Sequence, residues 1–500
     1  MEDDMNFFLN EGFRSVNSGV EHAERYRLAI FDELKEESRL VLTELLPKLP
    51  KDLEQWQIPV NKVINLFDFL MADSPDDYLK HGLAVDDLVE FEETVLLDDS
   101  GMRRLVNEQA MAGYQIKRRK DCFPDDTNQQ TVVRDAHVEL TRGCRRLSWS
   151  YQKEGHHLKM TAIHLENFWG KNKYFQNFEQ LLAFFMAAIQ DCFGASRYFI
   201  DRGLAYHEYF VNHEKQYEND YLATVIHANH RVAMAGDRPI FNQFYQYPIQ
   251  HLDVYDALIC STFLQAHDLK EDLQQTGANE ASLNKILTLP VAFCLPSRQQ
   301  QQQQKGQIDT AKGETLHLVT ASRLHQEKHL DELLLALPRL KEAGLAVTLT
   351  IFGEGPEKAT LQDLVRDEEL EDQVTFAGWS RQLTDDLASF DLYLSTSYSE
   401  GFGLTYLESL GQGLPLVSYA NRYGAEELIQ DGQNGLLVPF IKGKEPAVRK
   451  RNAKQLAAAV LQAADRLNEL TAHSRESIKA YDLTSVASTW QTLLEDWHEG

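Results

Sequence analysis

An apolar run that ends in a glycine-rich turn and restarts as a helix leaves a chain few folds to choose from, and Phe390 to Leu410 is such a stretch. Phe390 to Ser395 (F-D-L-Y-L-S) has the length and bounds of a buried parallel strand, and Leu404, Leu407, Glu408 and Leu410 carry helical spacing. The segment between them, S-E-G-F-G at 399–403, is then a turn at the C-terminal edge of a sheet, opening on a helix N-terminus. Gly401 and Gly403 leave its backbone unshielded, and free N–H groups at the positive end of a helix dipole suit phosphates or sugar hydroxyls. Glu400 before the turn and Glu408 on the helix suit hydroxyls, because carboxylate oxygens accept hydrogen bonds from a diol and repel an anion. The pattern predicts a nucleotide-sugar site, with hydroxyls on the acids and diphosphate on backbone and cations. Taken alone, it is equally a plain strand-to-helix turn with two exposed glutamates.

The same rhythm recurs across the C-terminal half. From His317 the chain reads H-L-V-T-A-S-R-L-H-Q-E-K, a strand and then a turn bearing Arg323 and Lys328, before an amphipathic helix. Two cations at a strand end can face one diphosphate, arginine by its fork and lysine as a point charge. Val347 to Phe352 ends in G-E-G-P at 353–356, and Val374 to Phe376 ends at Gly378-Trp379. Alternating strands and helices of this length predict a doubly wound parallel sheet with ligands at the carboxyl ends of its strands.

S-R-L-H-Q-E-K at 322–328, F-G-E-G-P at 352–356, F-A-G-W at 376–379 and E-G-F-G-L-T-Y-L-E at 400–408 stand in an order and spacing that resemble the retaining GT-B glycosyltransferases of glycosyltransferase family 4. The resemblance implies an α/β fold of the GT-B kind, two Rossmann-like domains facing a cleft. It implies that Glu400 contacts hydroxyls of the transferred sugar, Glu408 the nucleotide ribose, and Arg323 with Lys328 the diphosphate. The loop Gly401, Phe402, Gly403, Leu404 and Thr405 should complete the donor site, with Gly353 and Gly378 on the neighbouring turns. N-R-Y-G at 421–424 resembles the segment of bacterial protein O-glycosyltransferases and teichoic-acid glycosyltransferases of this group. The start of the chain, S-G-V-E-H-A-E-R-Y-R at 18–27, resembles catalytic subunits of accessory-secretion glycosyltransferases, which place N-acetylglucosamine on serine-rich repeat adhesins. There Gly19 opens a capped helix, in a first loop that lines the cleft in GT-B enzymes. I-H-A-N-H-R at 226–231 falls at a strand's carboxyl end, and the match to this group makes His230 a sugar- or acceptor-facing residue ahead of His227. Some relatives carry a histidine where this chain has Arg231.

Five hundred residues with 43% apolar content exceed one core and are enough for two or three. The reading along the chain is a first Rossmann-like domain at 1–73 and 176–298, interrupted at 74–175 by an antiparallel β-rich insertion. A linker at 299–312 with six consecutive glutamines follows, then a nucleotide-sugar domain at 313–475 and a helix at 476–500 crossing back to the first domain. Related enzymes carry such an insertion for acceptor or partner contact. The basic run Lys117 to Lys120 within it reads as a solvated loop, with an acceptor contact as the alternative. No signal peptide or bilayer-spanning run is legible, and five scattered cysteines without metal spacing fit reduced thiols in the cytoplasm. A formal charge of −26 disfavours nucleic acid and anionic lipid as direct partners.

The expected function is retaining transfer of a sugar from a UDP donor, UDP-GlcNAc or else UDP-glucose, to Ser/Thr hydroxyls of a serine-rich acceptor protein. Glu400, His230, Arg323 and Lys328 are the expected catalytic set. No metal and no cofactor are expected, since cations and helix ends can stabilise the departing UDP. The resemblance also implies a companion stabilising subunit of related fold, with any peripheral membrane contact made through it. The alternatives are a wall-teichoic-acid α-glycosyltransferase, disfavoured by the acidic balance, and a non-catalytic chaperone-like companion, disfavoured by the retained Arg323, Lys328, Glu400 and Glu408.

Overall fold

The structure is a computed structural model that describes residues 4–14, 18–98, 102–125, 130–155, 157–236, 238–294 and 314–499. The glutamine linker expected at 299–312 lies outside the described residues. The chain divides into two compact units, 1–225 with 246–257, and 226–245 with 258–500.

The first unit holds five strands of a parallel sheet in the order Tyr221–Ile226, Ser196–Ile200, Met5–Asn10, Ser38–Leu42, Val63–Asn65. Phe7, Phe8, Leu9, Leu40, Val41 and Leu42 are all fully buried, the continuous apolar run of a parallel sheet covered on both faces. Val63–Asn65 runs directly into the helix Leu66–Met71, capped by the Asn65 side chain. Inside the unit, Arg27 donates to Asp201 at 3.0 Å, with both side chains shielded from water and the guanidinium 4.8 Å above the Phe8 ring. A buried ion pair is tolerated when fork and carboxylate match in this way.

The insertion is a seven-stranded antiparallel meander whose strands, from Glu92–Leu97 to Lys171–Asn177, neighbour one another in chain order. The antiparallel reading holds, and its longest strands include Gln130–Arg142, Arg145–Glu154 and His157–Phe168. The basic run Lys117 to Lys120 is not a loop; it lies inside the strand Gln115–Asp125. Two of its charges are met across the sheet, Arg118 by Glu108 and by Asp135 at 2.8 Å, and Lys120 by Asp135 at 3.5 Å, while Arg119 pairs with Asp121 of its own strand at 3.4 Å. The meander is seated on the helix Leu66–Met71, where Trp149 lies 5.3 Å from Phe67, Phe168 lies 5.6 Å from Phe69, and Tyr114 donates to Asp68 at 2.9 Å.

The second unit is built on a six-stranded parallel sheet in the order Val374–Gly378, Val347–Phe352, Leu316–Ala321, Leu392–Ser395, Leu416–Tyr419, Gly435–Val438. The order reverses between Leu316–Ala321 and Leu392–Ser395, and ligands of open α/β sheets gather at the carboxyl edge of such a switch point. The helix Pro446–Asp465 presses Ala453, Leu456, Ala457 and Val460 onto the sheet. This unit also holds residues 258–260 paired with Ile286–Thr288, and the closing helix Leu483–Glu499, whose Trp490 indole donates to the Pro290 carbonyl at 2.9 Å.

Three turns at the carboxyl edge are locked by backbone alone. Ser322 donates to Phe352 at 3.1 Å, Leu324 to Glu354 at 2.9 Å, and Gly353 to Gly378 at 2.7 Å. The approach is so close that a Cβ at Gly353, where φ is +126°, would sit 1.9 Å from the Ser322 carbonyl oxygen.

Two measurements check this packing. Burial holds the Asp68 carboxyl at about 7, so the folded chain binds a proton that the unfolded chain binds only near the ordinary aspartate value of about 3.9. That contribution is complete below the unfolded value and is lost as pH rises through the folded one. Relative to Asp68→Asn, the parent should lose up to about 4 kcal/mol of stability from about pH 4 to about pH 8 in urea unfolding. Identical pH dependence in parent and variant would contradict the buried titration. Gly353→Ala should cost more than about 3 kcal/mol. Gly344→Ala, at a φ of +83° with nothing within 4 Å of the added methyl, should cost only about 1 kcal/mol; equal losses would show that the backbone approach is not what demands glycine.

Candidate active site

The helix Leu404–Gly411 starts from Gly403 in the left-handed region, at φ +84°. A Cβ at Gly403 would meet the Tyr406 ring at 2.6 Å, and one at Gly401 would lie 2.0 Å from the carbonyl oxygen of His227. Gly401 is therefore required by close approach, and Gly403 by close approach and by its left-handed backbone. Before them, Glu400 Oε1 lies 2.7 Å from Lys328 Nζ, with the two side chains 20% and 14% exposed. Lys328 Nζ also lies 3.4 Å from Ser397 Oγ. Behind Glu400, a Cβ at Gly424 would come within 2.7 Å of its Cβ, so the N-R-Y-G turn backs the carboxylate directly. Buried Asn421 holds that turn, its amide donating to Tyr406 Oη at 3.0 Å and its carbonyl accepting from Ala425 N–H at 2.9 Å.

The remaining expected residues separate into those the fold brings to this point and those it does not. Thr405 Oγ1 accepts from Tyr393 Oη at 2.9 Å, and Glu408 is half-buried on the same helix. Phe402 is buried, its ring 5.9 Å from that of Tyr481, so only its backbone is placed to serve a ligand. Gly378 sits at φ +74° on the adjoining turn. Arg323 is exposed, and its guanidinium pairs with Glu327 at 2.7 Å on its own turn rather than joining Lys328. Gly19 belongs to the first unit and is exposed at the start of the helix Gly19–Leu34. There Glu21 accepts from the Ser18 N–H at 2.7 Å and from Arg202 at 2.9 Å, which satisfies the helix end locally.

His230 is fully buried. Its Nε2 lies 2.9 Å from Asp272 Oδ2, and Nδ1 has no hydrogen-bond partner among the described residues. Burial pulls the imidazole pKa down and Asp272 opposes this, with the net shift downward; the neutral ring thus carries its proton on Nε2 and an acceptor lone pair on Nδ1. Asp272 also accepts from Arg231 at 2.7 Å. One turn earlier on the helix Phe263–Gln275, Asp268 takes both arms of Arg422, at 3.0 and 3.1 Å, and the Tyr423 hydroxyl at 3.2 Å. These two acids were missed by sequence reading. Their signal was their place among Leu269 and Leu273 on the apolar side of that helix, where a carboxylate must have a partner. Among the described residues one acidic group, His267, Asp268 and Glu271, has ligand atoms within 4.8 Å of one another. Asp268 there is already committed to Arg422.

The chemistry on offer is a shielded ammonium and carboxylate beside bare backbone at a helix start. Lys328 can neutralise an anion, Glu400 can accept from hydroxyls, and the glycine loop admits a ligand to main-chain N–H groups.

Residues 300–463 match the family described as glycosyl transferases group 1. The chain is 24% identical over 519 aligned positions to the UDP-N-acetylglucosamine–peptide N-acetylglucosaminyltransferase GtfA subunit of Streptococcus pneumoniae, covering 98% of each. Its fold matches the crystal structure of the pneumococcal O-GlcNAc transferase GtfA in complex with UDP and GlcNAc, with a TM-score of 0.70 at 23% identity over 100% of both chains. It matches the GtfA/B complex structure with a TM-score of 0.68 at 22% identity, again over 100% of both chains. With the motifs of its carboxyl-edge turns, this chain has the GT-B fold, and its residues 300–463 match the glycosyl transferases group 1 domain.

Proposed function

We propose that the chain transfers N-acetylglucosamine from UDP-GlcNAc to Ser or Thr hydroxyls of a serine-rich protein, with retention at the anomeric carbon. The observation that carries this reading is the shielded Lys328–Glu400 pair beside the E-G-F-G-L-T loop. A nucleotide sugar is a ligand that engages both members, diphosphate on the lysine and hydroxyls on the acid. The pneumococcal GtfA subunit supports the donor and the peptide acceptor by its similarity over nearly the whole chain.

In the proposed reaction the bond from sugar C1 to the UDP oxygen breaks, and the acceptor hydroxyl oxygen bonds to C1 on the same face. The hydroxyl proton passes to the departing diphosphate. Lys328 stabilises the charge that builds on that diphosphate, and Arg323 joins it by turning from Glu327 across an exposed surface. Glu400 orients the sugar and Glu408 the ribose, so positioning and fixed charge carry the step and no metal or cofactor is required. Water is the competing acceptor. The similarity to a GtfA/B complex supports a companion subunit of related fold, and the inserted meander is a candidate platform for acceptor or companion. Work in the cytoplasm fits the thiols, and no helix among the described residues is long and apolar enough to cross a membrane.

The direct test is incubation of the full chain, with and without a companion subunit, with a panel of nucleotide sugars and a serine-rich peptide. A peptide mass increase of one N-acetylhexosamine with UDP-GlcNAc is expected. No sugar-dependent mass shift in any combination would refute the reading. Glu400→Gln should lower turnover by about 100-fold while calorimetric UDP affinity stays within about 3-fold. Glu408→Ala should weaken UDP itself by about 10-fold; the reverse pattern would exchange the two assignments.

A further inference from the structure

We propose that Asp272, together with Asp268 one turn before it, is a positioning residue for sugar transfer that fixes the two turns flanking the donor loop. The proposal rests on the transferase reading and adds to it a role for a helix outside the donor motifs. Asp272 receives His230 Nε2 at 2.9 Å and Arg231 Nη1 at 2.7 Å, the last two residues of I-H-A-N-H-R. Asp268 receives Arg422 and Tyr423, the middle of N-R-Y-G. The His230 and Tyr423 rings stack at 5.7 Å, so the two bound turns also meet each other. A third acid closes the set: Glu427 accepts from the Phe263 and Leu264 N–H groups at 2.9 and 3.2 Å, anchoring the start of the same helix.

Each turn held this way touches the donor loop. The first presents the His227 carbonyl to Gly401, and the second presses Gly424 against Glu400. A shift in either would move the sugar-facing carboxylate or the loop backbone, and misplacement by about 1 Å can cost about 100-fold in rate. Asp272 is 1% exposed and Asp268 5%. Apolar side chains would cover that helix face at lower cost than two carboxylates and two guanidiniums, so the ionic arrangement is better explained by orientation than by stability. Asp272 also keeps the His230 proton on Nε2, which turns the Nδ1 lone pair to the opposite side of the ring, as a carboxylate does for a metal-ligating histidine.

The test compares the parent full chain with Asp272→Asn, Asp272→Glu and Arg422→Gln, using UDP-GlcNAc and a serine-rich peptide. It reads kcat, donor KM, calorimetric UDP affinity and Tm. Asp272→Asn should lower kcat at least about 10-fold with donor KM and UDP affinity within about 3-fold of the parent, and Asp272→Glu should recover part of the loss. A parent-like kcat in Asp272→Asn overturns the proposal. So does a loss in which kcat and UDP affinity fall together with Tm, the mark of general loosening. If Asp272→Asn does not fold, Arg422→Gln decides, because its side chain is 47% exposed and tolerates change; it should show the same kcat-selective loss, and parent-like turnover overturns the proposal. A parent that transfers no sugar from any donor refutes the transferase reading itself and is seen before any variant is compared.

Discussion

Lys328 and Glu400 lie 2.7 Å apart with little exposure to water, and the candidate site depends on that pair. In a partly desolvated place each charge needs a partner, and in this structure each has the other. A ligand that is only anionic would leave the carboxylate facing like charge, and one that is only polyhydroxyl would leave the ammonium unimproved. A sugar diphosphate answers both, and this limits the useful ligands more tightly than a glycine loop or a basic turn does separately.

What holds the pair is mostly backbone. The turn bearing Arg323 is tied to the F-G-E-G-P turn through Ser322, Leu324 and Gly353, where a side-chain methyl at 353 would overlap a carbonyl oxygen. On the other side, Gly401 abuts the His227 carbonyl and Gly424 abuts Glu400. A candidate site framed by such close backbone approaches has few soft directions, which suits chemistry that relies on fixed charge and orientation. The acids of the helix Phe263–Gln275 extend the same frame with side chains.

Much of this was legible because it is local. Strand, turn and helix around 390–410 follow from apolar spacing and two glycines, and the parallel sheet follows from repetition of that unit. The long antiparallel strands of the insertion were legible in kind, since alternation shows in a sequence even when strand ends do not. What could not be read depends on partners distant in sequence. Lys117 to Lys120 looks like a loop until Glu108 and Asp135 arrive from neighbouring strands. Asp268 and Asp272 are unremarked acids until Arg422, 154 residues away from Asp268, and His230 converge on them. Arg323 illustrates the opposite limit: its motif suggests a ligand, while the i,i+4 neighbour Glu327 gives it a simpler partner.

The chemistry proposed here makes one commitment that no binding measurement reaches, the face of the sugar on which the new bond forms. UDP-GlcNAc is α-linked, and a site that keeps the leaving diphosphate and the acceptor hydroxyl on one face must give an α-linked product. Proton NMR of the purified glycopeptide reads the anomeric configuration from the coupling between H1 and H2. Retention at the Lys328–Glu400 site predicts the small coupling of an α-glycoside. A large coupling, that of a β-glycoside, would contradict it.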